Sequence, residues 1–333
     1  MTRVAVLGGG NWGTAYAAIM ADAGCTVRLW ARRQKVVDEI NTDHVNSGYL
    51  PDRVLPDTIA ATSSYAEALD DAEIVVVAVP SQTLRDNLAD WRDLLPSDAP
   101  VVSLMKGIEL GTGERMSQVI AEAGGVDADR IVVVSGPNLA PEIAARQPAA
   151  AVVAAASPRV RAKVAEASAT AYFRPYLGTD VVGTEIAGAT KNVIALAVGM
   201  ASGMGMGDNT MASLLTRGLA ETARLGTALG ADPQTFLGLA GVGDLVATCA
   251  SPLSRNRTFG FRLGQGMSLQ EVIDSTKQTA EGVKSCESIL QLAQSVDVDV
   301  PIVENVAAVV HEGRDPKDVV GALMSRARKH EVN

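Results

Sequence analysis

Residues 4–15 read Val4-Ala5-Val6-Leu7-Gly8-Gly9-Gly10-Asn11-Trp12-Gly13-Thr14-Ala15. Four apolar residues run straight into three glycines, and a helix-compatible segment resumes at Asn11. Gly8, Gly10 and Gly13 have the spacing G-x-G-x-x-G. In a strand-to-helix turn the first glycine permits the tight bend, the second lets backbone approach a pyrophosphate, and the third lets helix pack on strand. The free N–H groups of the helix N-terminus then supply donors for the phosphates. A glycine-rich turn without a ligand is the plainer alternative. The uncharged run continues to Ala21, but Gly8 to Gly13 interrupt it, unlike a membrane span or a signal segment.

Outward from this turn, short Val/Ile-rich runs recur at Val27–Trp30, Ile74–Val79, Val101–Met105 and Ile131–Val134, with further strand candidates at Ala150–Ala155 and Tyr172–Leu177. Near-continuous apolar runs are the mark of strands buried on both faces of a parallel sheet. Segments with helical periodicity, Ser81–Leu95 and Gly113–Ala123, lie between them. The βαβα alternation predicts an α/β fold with an N-terminal doubly wound, Rossmann-type parallel sheet. After about Asp180 the periodicity turns to 3.6 over Thr210–Leu229, Leu269–Ser275, Val283–Ser295 and Ile302–Glu312, so a mainly helical C-terminal domain is expected. The expected domains are residues 1–180 for the dinucleotide and 181–333 for substrate and catalysis.

The chain has 333 residues, enough for two cores, and a formal net charge of −9. That balance argues against nucleic acid and anionic membrane as partners, and no integral membrane segment is expected. An anionic ligand would have to be held by a few local cations. The three cysteines and three histidines show no metal-ligand spacing, so no metal is expected and a reducing cytoplasm fits.

Selective NAD sites carry an acid at the end of the second strand. Here Val27 to Trp30 is followed by Ala31, Arg32 and Arg33, which suit a 2′-phosphate; NADP is favoured, with NAD as the other candidate. The same arginines could instead solvate the next helix. In the apolar segment Ile186–Met200 the sole charge is Lys191. A buried ammonium needs a partner and titrates easily, which suits a proton carrier; pairing with Glu185 or snorkelling is the structural alternative. Gly188, Lys191, Asn192, Ala195 and Gly199 share a stripe with room for a ligand or a neighbouring chain. Lys106 follows a strand at the ligand-bearing edge, where a lysine alone would be unremarkable, and the turn Ser135 to Glu142 falls on that edge. Asp244, after Gly241-Val242-Gly243, is placed as an acid or as an N-cap. Ser254, Arg255, Asn256 and Arg257 concentrate phosphate donors, or form a solvated basic loop.

With these residues assembled, the chain resembles the bacterial NAD(P)-dependent glycerol-3-phosphate dehydrogenases. The matching stretches are GGGNWGTA from Gly8, KGIE from Lys106, SGPNLAPE from Ser135, EIAGATKN from Glu185, GVGDL from Gly241, SRNRTFG from Ser254 and AEG from Ala280. The resemblance implies hydride transfer between a nicotinamide and C2 of dihydroxyacetone phosphate or sn-glycerol 3-phosphate, supplying the glycerophospholipid backbone in a cytoplasmic homodimer. It implies Lys191 as catalytic proton carrier, with Lys106 and Asp244 beside it. Lys106, Gly136, Asn138, Lys191, Asn192, Asp244, Ser254, Arg255 and Asn256 would meet substrate. Asn11, Trp12, Arg32, Arg33, Tyr49, Lys106, Ala140, Arg255, Thr279 and Glu281 would join the three glycines around the cofactor. Family members commonly have Ser where Asn11 and Asn138 stand, and Phe at Leu139. Two rivals remain: a related two-domain hydroxyacid-type dehydrogenase acting on a carboxylate, and a non-catalytic NAD(P)-binding redox sensor. The phosphate donors around Arg255 oppose the first, and the lone Lys191 opposes the second.

Overall fold

The structure, a computed structural model, describes residues 1–276 and 280–324. Its first half places β1 (Arg3–Leu7), β2 (Thr26–Trp30), β3 (Val45–Asn46), β4 (Leu50–Val54), β5 (Ile59–Thr62), β6 (Ile74–Val77), β7 (Val101–Ser103), β8 (Ile131–Ser135), β9 (Ala149–Ala154) and β10 (Phe173–Gly178). Among them run α1 (Asn11–Asp22), α2 (Gln34–Asp43), α3 (Tyr65–Leu69), α4 (Leu84–Trp91), α5 (Met116–Gly124), α6 (Ala140–Ala144) and α7 (Pro158–Ser168). The main sheet has eight strands in the order β10-β9-β8-β7-β6-β1-β2-β5, and β3 with β4 forms a separate hairpin. Successive strand residues point to opposite faces. Val4, Val6, Val27, Leu29 and Val76 enter one apolar core, while Ala5, Leu7, Val75, Val77 and Val101 enter another. Strand order reverses at β1, with β2 on one side and β6 on the other, so the crevice at their carboxyl ends is the ligand position of a doubly wound sheet.

The expected strands form, with ends shifted by a residue or two. One pairing departs from a wholly parallel sheet: β9 runs antiparallel to β8 and parallel to β10. The segment 136–148 between β8 and β9 holds only the short α6, too little helix for a parallel crossover.

The second half is helical: α8 (Val181–Gly203), α9 (Asp208–Ala228), α10 (Asp244–Ala250), α11 (Arg255–Gly264), α12 (Leu269–Asp274), α13 (Glu281–Ser295), α14 (Pro301–Glu312) and α15 (Pro316–Met324). α8 is the axis of this half. It is long and apolar enough to cross a membrane by length and composition, yet 78% of its most apolar window is buried within the structure, so it is a core helix. Glycine permits its closest contact. A Cβ on Gly199 would lie 2.1 Å from Arg257 O, and one on Gly203 2.1 Å from Phe261 O. Conversely, Cβ atoms on Gly260 and Gly264 would meet Leu196 O and Met200 O at 2.2 and 2.1 Å. The small-residue stripe is therefore covered at Gly199 by α11 of the same chain, and at Asn192 by Gly282 of α13, rather than by a neighbouring chain.

Gly199→Ala tests this crossing. Alanine normally favours a helix by about 0.5–1 kcal/mol over glycine. Here the added methyl meets backbone that cannot rotate away, and overpacking of that kind costs about 1–3 kcal/mol or more. Net destabilisation in urea unfolding is expected, whereas a stabilised variant would mean that α8 and α11 can separate freely.

Candidate functional site

The glycine turn has the geometry its spacing requires. Gly8 has φ +137°, and a Cβ there would lie 2.4 Å from Ala78 O on the neighbouring β6 connection. A Cβ on Gly13 would lie 2.0 Å from Gly8 O, so α1 can start this close to β1 only without a side chain. Gly10 is the N-cap of α1 and faces open space. Asn11 Oδ1 and Trp12 Nε1 are buried and lack a hydrogen-bond partner within the described chain. An unmet buried acceptor and donor flanking free helix N–H groups fit a polar ligand such as a dinucleotide. Ala140 opens α6 and packs with Ala15 and Leu50 beneath this turn.

Arg32 and Arg33 follow β2, and both are exposed. The β3–β4 hairpin brings Tyr49 to them: Arg33 Nη2 donates to Tyr49 Oη at 3.2 Å, and the guanidinium lies 5.5 Å from the ring centroid. The structure thus joins Arg33 and Tyr49 at the rim of the crevice.

Across the crevice, Lys106 follows β7 and Lys191 lies mid-way along α8. Leu239–Gly243 forms a single π-helical turn that leads into Asp244, the first residue of α10. Gly243 occupies the N-cap position, so Asp244 is not the cap; its carboxylate turns to the lysines. Lys191 Nζ donates to Asp244 Oδ1 at 2.8 Å and to Thr248 Oγ1 at 2.7 Å. Lys106 Nζ donates to the other carboxylate oxygen, Oδ2, and to Gly136 O at 3.2 Å. Side-chain exposure is 11% for each lysine and 2% for the aspartate. One carboxylate is thus shared by two ammonium groups, one from each half of the chain. Glu185 is not the partner of Lys191, since it faces Arg115.

Burial lowers Lys106 to about 8; Asp244 opposes that fall and Lys191 reinforces it. Burial works against the Asp244 carboxylate, but Lys106 and Lys191 outweigh it and hold it below the usual carboxylate range. Glu281, at the start of α13, is raised by burial, with Arg255, Lys191 and Lys106 pulling the other way. An acid, two lysines and an arginine therefore share one field. A lysine held near neutrality can give or take a proton without a large penalty.

Gly136 has φ +147° and presents its carbonyl to Lys106. Both side-chain polar atoms of Asn138 are buried and lack a partner within the described chain, as does Ser135 Oγ. Ser254 caps α11, accepting from Arg257 N at 3.2 Å, which leaves its hydroxyl proton available. Arg255 is exposed on the first turn. Asn256 Nδ2 donates to Asn192 Oδ1 at 2.9 Å, and Asn256 Oδ1 accepts from Gly282 N at 2.9 Å, so both asparagines tie α8, α11 and α13 together. Thr279 lies outside the described residues. Thr248 escaped the sequence reading, although its place four residues after Asp244 puts both on one face of α10.

The family model for the N-terminal part of NAD-dependent glycerol-3-phosphate dehydrogenase matches residues 3–161, and that for the C-terminal part matches residues 180–321. The glycerol-3-phosphate dehydrogenase [NAD(P)+] of Streptomyces griseus is 63% identical over 99% of this chain and 98% of its own. That of Corynebacterium diphtheriae is 57% identical over 99% and 100%. The crystal structure of glycerol-3-phosphate dehydrogenase from Coxiella burnetii superposes with a TM-score of 0.93 at 35% identity, over 98% of this chain and 99% of that one.

The low Lys106 value sets a stability test. With a folded value of about 8 against an ordinary 10.5, the unfolded chain binds more protons between those pH values. Stability contributed by this group therefore rises with pH across that window. Wild type should gain on Lys106→Met in chemical denaturation between pH 8 and 10.5. A loss instead would mean that Asp244 outweighs burial and raises the lysine.

Proposed function

The chain belongs to the NAD-dependent glycerol-3-phosphate dehydrogenase family, and on that premise we propose how its residues interconvert dihydroxyacetone phosphate and sn-glycerol 3-phosphate. The observation that carries the reading is the single Asp244 carboxylate gripping Lys106 and Lys191. When bound, the nicotinamide supplies or accepts the hydride at substrate C2. The glycine turn, Asn11, Trp12, Ala140 and Glu281 would hold the cofactor, with Arg32, Arg33 and Tyr49 at its adenosine end. Residues 1–180 would form this half, and 181–333 the substrate half.

In the reducing direction negative charge builds on the C2 oxygen. Lys191 donates the proton while Lys106 stabilises the charge by a hydrogen bond; in the oxidising direction neutral Lys191 accepts the hydroxyl proton. Asp244 keeps both ammonium groups aimed at one point and offsets their repulsion. Thr248 fixes the Lys191 rotamer from the other side. Arg255, the Ser254 hydroxyl and the free N–H groups of the α11 N-terminus would grip the substrate phosphate, with Asn256 and Asn192 bracing that corner. Phosphate binding remote from C2 then orients the reacting carbon. Asn138 and Gly136 would close the pocket on the sheet side.

NADP use is proposed over NAD because cations, with no acid, follow β2. Three free, buried cysteines support a reducing cytoplasm as the setting. A homodimer is proposed on the exposed apolar Leu237, Val246 and Leu253 of the helical half, with light scattering as the check. The product would supply the backbone of glycerophospholipids.

Addition of dihydroxyacetone phosphate to enzyme and NADPH should lower the NADPH absorbance. Lys191→Met should stay folded and bind NADPH, with turnover down by about 10²–10⁴, the usual worth of a positioned acid or base. Retention of more than about a third of wild-type kcat would remove Lys191 from the chemistry, which at this scale of effect cannot lose its proton carrier unnoticed.

Arg32→Ala with Arg33→Ala should raise KM for NADPH by about tenfold and leave NADH nearly unchanged, since charge-assisted bonds to phosphate are worth about 1.5–3 kcal/mol. Both side chains are exposed, so added salt should mimic the change weakly. Equal harm to both cofactors would assign the arginines to the fold.

A further inference from the structure

Lys106 and Lys191 come from different halves of the chain, and something besides Asp244 has to hold the halves in register. Lys106 leads into the loop Gly107–Arg115, which closes on itself through an antiparallel bridge between Ile108 and Arg115. Ile108 is fully buried within the apolar core of the helical half. Arg115 is the N-cap residue of α5. At that end Glu185 of α8 accepts three hydrogen bonds. Its Oε2 takes Arg115 Nη1 at 2.5 Å and Ser117 Oγ at 2.6 Å, and its Oε1 takes Ser117 N at 2.7 Å. The Glu185 side chain is 3% exposed and that of Arg115 16%, so the pair is shielded from water.

The spacing along α8 gives this clamp a consequence. Glu185, Gly188 and Lys191 follow one another at three-residue intervals, one helical turn after the next. A Cβ on Gly188 would lie 3.5 Å from Lys106 Cγ and 3.7 Å from its Cδ, so the lysine stem crosses α8 at that glycine. The Lys106 loop and the start of α5 thus touch the helix in sequence: Arg115 and Ser117 at Glu185, the Lys106 stem at Gly188, and the Lys106 ammonium at the carboxylate that also holds Lys191. Breaking a buried pair is costly, and here the partners of the carboxylate are Arg115, which ends the Lys106 loop, and Ser117, in the first turn of α5 directly after it.

We propose that Glu185 is a positioning residue for the reaction: by binding Arg115 and Ser117 it fixes the Lys106 loop on α8 and so sets Lys106 against Lys191. This rests on the two-lysine reading above. The Glu185 carboxylate is taken up by Arg115 and Ser117, away from the Asp244 cluster, so its effect should fall on turnover. Misplacement of a reacting group by about 1 Å costs up to about 10²-fold in rate.

Steady-state kinetics of Glu185→Gln with dihydroxyacetone phosphate and NADPH should show kcat down about tenfold to 10²-fold, the range such a misplacement produces. NADPH affinity, read by protein fluorescence, should stay within about twofold, because the glycine turn is untouched. The alkaline limb of kcat/KM should move to higher pH as Lys106 leaves its buried position. Arg115→Met should lose turnover in the same direction, and Arg115→Lys, which keeps the charge, should recover part of it. A folded Glu185→Gln enzyme with wild-type kcat and pH profile overturns the proposal. Should that variant fail to fold, equal turnover of Arg115→Met, Arg115→Lys and wild type overturns it instead. Lys191→Met, assayed alongside, separates the two readings: if it retains turnover the two-lysine chemistry fails, and if it is inactive while the Glu185 and Arg115 variants match wild type, only the clamp fails.

Discussion

The site depends on one ion cluster, the Asp244 carboxylate between Lys106 and Lys191. Two ammonium groups brought this close repel, and burial penalises each of them. The carboxylate makes the arrangement tolerable by giving one oxygen to each lysine. In the proposed reaction these cations would meet the oxygen that turns negative at C2, and would draw a phosphorylated substrate to a chain whose net charge is −9. Removing one member of such a buried cluster typically costs about 3–5 kcal/mol, because the others are left uncompensated. Much of the surrounding architecture keeps this cluster in place. The π turn before α10 delivers the aspartate, the Lys106 loop delivers one lysine, and α8 delivers the other.

α8 can do so because glycine lets other backbone reach it. Gly199 and Gly203 admit α11, and Gly282 of α13 rests on Asn192 O. These contacts set the distance from Lys191 to the Ser254–Asn256 corner, which begins the same α11. Packing and function are therefore one constraint. A methyl added at the crossing should shift the Ser254–Asn256 corner, the proposed phosphate site, relative to Lys191.

Much of this was legible in the residues. Val/Ile runs and the Gly8, Gly10 and Gly13 spacing carry local signals of period and turn chemistry, and the sheet and first crevice follow from them. Lys191 stood out because nothing else on its helix is charged. What stayed hidden is what distant segments decide. β4 contains Pro51, Asp52 and Arg53, so its strand character was masked, and with it the hairpin that brings Tyr49 to Arg33. The antiparallel β9 follows from the shortness of α6. Asp244 could be read as a cap until the positions of Gly243 and both lysines were known. The Glu185 to Ser117 bonds span 68 residues and have no local signature. Asn192 and Asn256, read as substrate ligands, are found holding three helices together, a use that composition does not reveal.

The most direct test is a crystal structure of the ternary complex with NADP+ and a substrate analogue. Both Lys106 Nζ and Lys191 Nζ should lie within about 3 Å of the oxygen on C2, the ordinary reach of a hydrogen bond, with Asp244 still between them. A C2 oxygen held by other groups, with the two lysines still locked to Asp244 and out of reach, would contradict the account.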